Sequence, residues 1–150
     1  MLESRAFPPV VPRTRPVALA VRVYRSGGAQ SIADATTTAV IFDAVRYDLG
    51  TYWTSGAATR LTAALDGYFA IGAWFDYATN GTGVRVLQIR LNGTTTIAED
   101  VRSAVTGTDT MQTVDTNYYL TRGDYVEMLA FQTSGGPLNL IPEAWAHLIR

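Results

Sequence analysis

The longest alternation of side chains in the sequence runs from Tyr68 to Tyr77 and is apolar on both sides of the strand that it predicts. A strand with two apolar faces is typical of a sheet that is covered on both sides. We therefore expect one face to fill a core and the other to need a partner. The bulky face carries Phe69, Ile71, Ala73, Phe75 and Tyr77, and the other carries Tyr68, Ala70, Gly72 and Trp74.

Short alternating segments, separated by clusters of Gly, Asn, Asp and Thr, make up most of the remaining chain. This succession is typical of an all-β domain, and no longer window keeps the 3.6-residue period of a helix. We expect about eight to ten strands in a sandwich, jelly roll or barrel. The predicted strands are residues 17–25, 36–42, 60–64, 68–77, 84–91, 94–99, 112–120, 125–132 and 138–150, the last one bent by Pro142-Glu143.

Three short motifs have both a turn interpretation and a functional one. Asn92-Gly93 predicts a two-residue hairpin, because a type I′ turn needs positive φ at both central positions. Asn80-Gly81-Thr82 and Asn92-Gly93-Thr94 also match the glycosylation pattern, and Arg122-Gly123-Asp124 matches an integrin-type tripeptide. We interpret all three as turns between strands.

Residues 1–16 contain four of the six prolines. Because proline fixes φ and lacks an N–H, this segment cannot be a helix. We predict an extended arm, outside a domain at residues 17–150, that lies on a neighbouring subunit or another partner; a disordered leader is the alternative. The arm residues predicted to make this contact are Phe7, Pro8, Pro9, Pro12, Arg13 and Arg15.

Composition excludes several classes of protein. The 150 residues include no cysteine, so disulfides and thiolate chemistry are ruled out. The net charge is -1 and the twelve arginines are scattered, so we expect no nucleic-acid partner. We expect no cleaved signal peptide, because the N-terminal residues include no apolar h-region. We expect no membrane insertion, because no apolar run approaches the ~20 residues that span a bilayer.

A family resemblance rests on the spacing of seven residues. Phe42, Asp48, Trp53, Leu61, Gly67, Phe69 and Ile71 resemble the signature of the complement C1q globular head and the wider tumour-necrosis-factor-like jelly rolls. In this chain Leu61 replaces a phenylalanine one residue late, and Phe69 and Ile71 replace a tyrosine and a phenylalanine. Residues 120–127 are similar to the family's turn into its penultimate strand. Residues 89–94 and 97–99 most resemble C1q-like domains of bacterial and tailed-phage proteins.

The resemblance covers about residues 18–150 and implies a ten-stranded antiparallel jelly-roll sandwich that assembles as a homotrimer. In such a trimer one apolar sheet face forms the subunit contact. On this basis Tyr68, Ala70 and Trp74 are predicted to approach the neighbouring subunit, with the opposite assignment of the two faces left open. The sequence has no collagen-like stalk, so the role of the secreted animal proteins does not transfer.

The sequence contains no recognisable catalytic set, and we expect no enzyme, cofactor or metal site. His147 is the only histidine, and in an apolar strand it is predicted to be packed and hydrogen-bonded. Glu99 and Asp100 are adjacent in a strand and should point to opposite faces. Asp43 and Asp48 are interpreted as turn residues, with a cation site as the weaker alternative.

Three aromatic residues lie between predicted strands and are candidates for a binding surface. Tyr47, Tyr52 and Trp53 occur in a stretch rich in Gly, Thr and Ser, and exposed loop aromatics often contact sugars or proteins. Trp53 has a second interpretation, as the core aromatic of the family signature.

Taken together, these features predict a non-enzymatic virion protein. We expect a trimeric head decoration or tail-associated protein of a phage or phage-like particle, tethered to other virion proteins by residues 1–16. The alternative is a bacterial C1q-like binding module that recognises a cell-surface glycan or protein in host attachment.

Overall fold

The computed structural model describes residues 18–149, which form an all-β sandwich with one 3-10 turn at Ser55–Ala57. The described residues contain eleven strands where ten were expected, and three of these strands have only two or three residues. The strands are β1 Ala20–Tyr24, β2 Gln30–Ile32, β3 Thr38–Ala39, β4 Ala44–Leu49, β5 Arg60–Thr62, β6 Gly67–Tyr77, β7 Val84–Leu91, β8 Thr95–Ser103, β9 Thr110–Leu120, β10 Tyr125–Gln132 and β11 Leu138–Leu148.

The strands form two antiparallel sheets that pack face to face. The six-stranded sheet has the order β4-β1-β11-β6-β9, with β2 also pairing with β11. The five-stranded sheet has the order β3-β10-β7-β8, with β5 also pairing with β10. Except for the β7–β8 hairpin, neighbours in each sheet come from distant parts of the chain, as in a jelly roll. The predicted all-β jelly-roll architecture is confirmed.

The core lies between the sheets, and β6 contributes the largest part of it. Phe69, Ile71 and Phe75 are completely buried, as are Ala73 and Tyr77. The bulky face of the predicted strand is therefore the core face. Side chains of both sheets meet it, and the further buried residues include Val21, Val23, Ile32, Phe42, Leu87, Ile89, Met128 and Leu140.

The final strand continues through Pro142. Residues 138–140 of β11 pair with β2, whereas β1 pairs only from Glu143 onward. Pro142 thus lies where one side of the strand has no ladder partner, and its missing N–H costs little there. This explains why the predicted strand is not interrupted.

Two strands were missed by the sequence prediction. β2 has three residues, and β4 occupies a segment that we had interpreted as loop. β8 also extends four residues beyond its predicted end at Glu99, and β9 begins at Thr110. The connection between β8 and β9 therefore comprises residues 104–109.

The turn predictions at Asn92-Gly93 and Arg122-Gly123-Asp124 are confirmed. Asn92 and Gly93 have φ values of 49° and 72°, as a type I′ turn requires. Asp124 accepts hydrogen bonds from the N–H of Thr121 and from Asn92 Nδ2, both at 2.8 Å. These bonds give the Asp124 carboxylate a structural role in the turn.

The predicted arm lies outside the described residues. This applies to residues 1–16 and to its proposed contact residues, Phe7, Pro8, Pro9, Pro12, Arg13 and Arg15. Within residues 18–149, no helix has the length and apolar character needed to cross a bilayer.

Candidate interaction surface

The six-stranded sheet has a second face, directed away from the core, which we call the outer face. Its side chains alternate with core residues along β6 and β11. The strand register arranges them in rows across the sheet. The outer face consists of Arg46, Tyr47 and Leu49 of β4; Ala20, Arg22 and Tyr24 of β1; Ile141, Glu143, Trp145 and His147 of β11; Tyr68, Ala70, Gly72, Trp74 and Asp76 of β6; and Met111, Thr113, Asp115, Asn117 and Tyr119 of β9.

Two tyrosines form an exposed aromatic pair on this face. Tyr68 and Tyr119 are cross-strand partners, with ring centroids 5.1 Å apart and an interplanar angle of 72°. Tyr68 is 57% exposed, and Tyr119, Met111 and Ile141 are exposed to a similar degree. Exposed aromatic residues and methionine are enriched in the cores of protein interfaces. The outer face therefore has the composition of a contact surface.

The centre of the outer face is covered by Trp145. Its indole lies over Gly72, the cross-strand partner, and a Cβ added at Gly72 would be 2.8 Å from Nε1 of the ring. The guanidinium of Arg22 lies 5.4 Å from the centroid of the same indole, within the range of a cation–π contact. A small residue at position 72 thus allows the indole to lie flat on the sheet.

A buried carboxylate holds two arginines together beside the indole. Glu143 is nearly fully buried and accepts hydrogen bonds from Arg22 Nε and, at 2.7 Å and 3.2 Å, from Arg46 Nε and Nη2. The hydrogen bonds from Arg46 and then Arg22 lower the pKa of Glu143 below its usual range. Arg46 also stacks 4.5 Å from the ring centroid of Tyr24. The charge of Glu143 is therefore compensated within the subunit.

The three residues predicted to form a subunit contact lie together on the outer face. Tyr68 is exposed, whereas Ala70 and Trp74 are half-buried. Ala70 lies between His147 and Asn117, and Trp74 pairs with Glu143. Their position is established, while their role in an interface stays a prediction.

Several outer-face residues were not singled out from the sequence. In β9, Met111 and Tyr119 are an even number of residues apart, so strand alternation alone predicts that their side chains lie on the same face. Glu143 and Trp145 are two residues apart in β11, so the same rule places them on one face. What the sequence could not supply was the long-range pairing that brings β9 and β11 to either side of β6.

The prediction for His147 was wrong. We expected a packed, hydrogen-bonded side chain, but His147 is exposed on the outer face, between Ala20 and Ala70. Both neighbours are alanines, so they provide no side-chain hydrogen-bonding group and leave the imidazole uncovered.

The candidate aromatic platform does not form as predicted. Tyr52 is buried and meets Phe69 edge-to-face, with centroids 5.9 Å apart, so its assignment to the surface is corrected. Burial also raises the pKa of the Tyr52 hydroxyl. Trp53 packs partly against the core and donates from Nε1 to the Ala58 carbonyl. Only Tyr47 is exposed, and it belongs to β4 rather than to a loop.

Asp43 lies in the loop before β4, as predicted, whereas Asp48 lies within β4, so its prediction as a turn residue was wrong. The N–H groups of Tyr52 and Trp53 both donate to the Asp48 carboxylate at 3.0 Å. Asp43 accepts the N–H of Ser26, and this bond is the largest cause that lowers the pKa of its carboxyl. Both carboxylates are thus engaged by backbone donors.

Two solved structures share this fold. The globular domain of zebrafish complement 1qA protein aligns over 88% of this chain and 98% of its own, with 15% identity and a TM-score of 0.66. Eiger TNF from S. frugiperda aligns over 89% of this chain and 93% of its own, with 9% identity and a TM-score of 0.65. A scan against protein-family models and a search of curated protein sequences found no match.

These similarities establish a C1q/TNF-like jelly roll, which confirms the resemblance seen in the sequence. At such low identity they define the fold and leave function to be argued from the surface of this chain.

Proposed function

We propose that this chain is a non-enzymatic structural protein that forms a homotrimer through its outer face. The observation that supports this most is the set of large exposed apolar side chains on one side of one sheet. The Tyr68–Tyr119 pair lies near one end of β6, and Met111 and Ile141 lie on either side of Asp76 near the other end. Large exposed apolar patches mark interaction sites in folded proteins. C1q-like and tumour-necrosis-factor-like domains assemble as trimers through a sheet face, and the outer face is suited to that use.

The buried carboxylate at the centre of the outer face does not oppose burial against a second subunit. An uncompensated carboxylate would be costly to bury, but Glu143 already has two arginine partners in its own subunit. Arg22 lies over Trp145, and Arg46 lies over Tyr24. Arginine and aromatic side chains of this kind are enriched in protein interfaces. A stable contact needs about 800 Å² from each partner, an area that a five-strand face can provide.

The setting that we propose for the trimer is a phage or phage-like particle, as a head decoration or tail-associated protein. Support comes from the resemblance of residues 89–94 and 97–99 to C1q-like domains of tailed-phage proteins. In this proposal residues 1–16 tether the trimer to other virion proteins.

Deletion of residues 1–16 tests the tether. The truncated protein should fold and form the same oligomer, yet fail to join the particle. Unchanged incorporation would refute the tether, and loss of the oligomer would show that the segment serves assembly instead.

The alternative, a module that binds a cell-surface glycan or protein through its loops, receives less support. It relied on Tyr47, Tyr52 and Trp53, and Tyr52 is buried. A glycan array with the oligomer separates the two proposals, because a decoration protein should give no specific signal and a glycan-binding module should give one.

A further inference from the structure

The two Asn-Gly pairs of the chain hold their asparagine side chains in different ways. Asn92 is locked, because its Oδ1 accepts the Tyr125 N–H at 3.0 Å and its Nδ2 donates to Asp124 at 2.8 Å. Asn80 makes a local contact instead, in which its Oδ1 accepts the Thr82 N–H at 2.9 Å. Within residues 18–149, no acceptor is engaged by Nδ2 of Asn80.

An asparagine that precedes glycine can lose its side-chain amide in an intramolecular reaction called deamidation. The backbone nitrogen of the glycine loses its proton to a solvent base and attacks Cγ of the asparagine, and the amide nitrogen leaves as ammonia. The product is a five-membered succinimide. Water then opens this ring at one of its two carbonyls, so that the net change is addition of water and loss of ammonia.

We propose that Asn80-Gly81 is a site of spontaneous deamidation, and that Asn92-Gly93 is protected from it. The Thr82 N–H polarises the Cγ carbonyl of Asn80 and is placed to stabilise the negative charge that develops on Oδ1 during attack. Gly81 is exposed, and its missing side chain leaves room for Thr106, which packs beside its Cα. The Nδ2 group that must depart is free of any bond to a neighbouring strand.

Asn92 also has a backbone donor at Oδ1, from Tyr125, but its Nδ2 is held as well, by the Asp124 carboxylate. To react, its side chain would have to break the bonds to Tyr125 and Asp124, which connect the hairpin turn to β10 and its preceding turn. The hydrogen bonds that position Asn92 therefore oppose the rotation needed for attack.

The main-chain carbonyl of Asn80 contacts a buried cation. Arg85 is 0% exposed, and its Nη2 donates to the Asn80 carbonyl at 2.7 Å. Its Nη1 donates to the carbonyls of Thr82 and Val84. Within residues 18–149, no carboxylate forms an ion pair with Arg85, although buried charges are usually paired.

This contact gives the two ring-opening products different environments. If water cleaves the bond between Gly81 N and the main-chain carbon of Asn80, the chain continues through Cγ as isoaspartate. The former main-chain carbonyl then becomes a carboxylate, at the group that Arg85 already contacts. The hydrogen bond from the guanidinium to a neutral carbonyl would become an ion pair with a carboxylate, which supplies the counter-charge that Arg85 otherwise lacks within residues 18–149. Opening at Cγ gives aspartate, whose carboxylate lies on the Thr82 side. The folded protein should therefore accumulate isoaspartate at position 80.

Trypsin separates the two sites, because cleavage after arginine gives peptides 61–85 and 91–102. The full-length protein is incubated folded at mildly alkaline pH, and deamidation of each peptide is followed by the mass gained when NH2 becomes OH. Peptide 61–85 should react at least roughly tenfold faster than peptide 91–102, because Asn92 must first break its charge-assisted hydrogen bond to Asp124. In a sample unfolded with urea, the two rates should converge.

Equal rates in the folded protein, or faster reaction at Asn92, would overturn the assignment of the site. The contribution of Arg85 has its own readout. Fragmentation that distinguishes isoaspartate from aspartate at residue 80 should show a larger isoaspartate share in the folded sample than in the unfolded one. Equal shares would overturn the link to Arg85. An Asn80→Asp protein, analysed in parallel, supplies the reference for the aspartate product.

Discussion

Trp145 lies across Gly72, its cross-strand neighbour, so closely that an added Cβ would be 2.8 Å from the indole Nε1. This relationship explains why β6 has a glycine at position 72, on its outer face. The outer face is thus partly covered by the protein's own indole. The uncovered parts lie at the two ends of β6, with the Tyr68–Tyr119 pair at one end and Met111 and Ile141 at the other, and they are the surface that we assign to subunit contact.

Gly72→Ala should be destabilising. The new methyl must displace the Trp145 ring, and overpacking of this kind costs about 1–3 kcal/mol. Gly56→Ala is the matched control, because a Cβ at Gly56 has no neighbour within 4 Å. Urea unfolding of both variants measures the difference, and equal midpoints would contradict the packing of Trp145 over Gly72.

Glu143→Gln should lower the free energy of unfolding by about 1–3 kcal/mol, because two arginines lose the charged acceptor that they share. Glu99→Gln serves as control, since Glu99 is exposed and contacts Gln88. Chemical denaturation of the two variants should show a loss for Glu143→Gln alone. A change of the same size in both would mean that Glu143 has no special role.

The same carboxylate predicts a pH dependence. The pKa of Glu143 is lowered in the folded protein, so its stabilising effect is complete above 4.5, the ordinary value, and is lost as the pH falls through the folded value. The stability difference between the wild type and Glu143→Gln should therefore shrink on acidification. A difference that stays constant down to strongly acidic pH would contradict the assignment.

Tyr52→Phe should be neutral or slightly stabilising, because the buried Tyr52 hydroxyl has no partner within the described residues. Tyr77→Phe is the comparison. The Tyr77 hydroxyl contacts the carbonyls of Val86 and Phe131, so its removal should cost about 1 kcal/mol. Thermal unfolding of both proteins measures this, and a larger loss at Tyr52 would indicate a missed partner for its hydroxyl.

The alternation of residues carried most of the fold prediction. In β6 each large odd-numbered side chain is buried, because strand geometry alone assigns faces. β4 was missed because Arg46, Tyr47 and Asp48 show no apolar alternation. That strand is held by pairing with β1 and by the contact of Arg46 with Glu143, which is 97 residues away in sequence.

The site was less predictable than the fold because it depends on such distant pairings. Arg85 is a second residue whose environment could not be predicted from the sequence. In β7 the residue lies on the same face as Leu87 and Ile89, which are core residues. A charged side chain is rarely found at such a position, so burial of Arg85 could not be predicted from the sequence. Three backbone carbonyls from the preceding turn and the strand start allow the guanidinium to be buried.

Tyr68→Arg should dissociate the trimer, because three added charges would be brought together at the contact. Val101→Arg is the matched control, since Val101 is 56% exposed but lies on the five-stranded sheet. Trp74→Arg should act like Tyr68→Arg if the interface extends across β6. Size-exclusion chromatography with light scattering distinguishes these variants, and dissociation by Val101→Arg instead would place the contact on the other sheet.

Sedimentation equilibrium of the unmodified protein at micromolar concentration measures the assembly without any substitution. A homotrimer should sediment as a single species with three times the mass of the chain. A species with the mass of one chain at that concentration would contradict it.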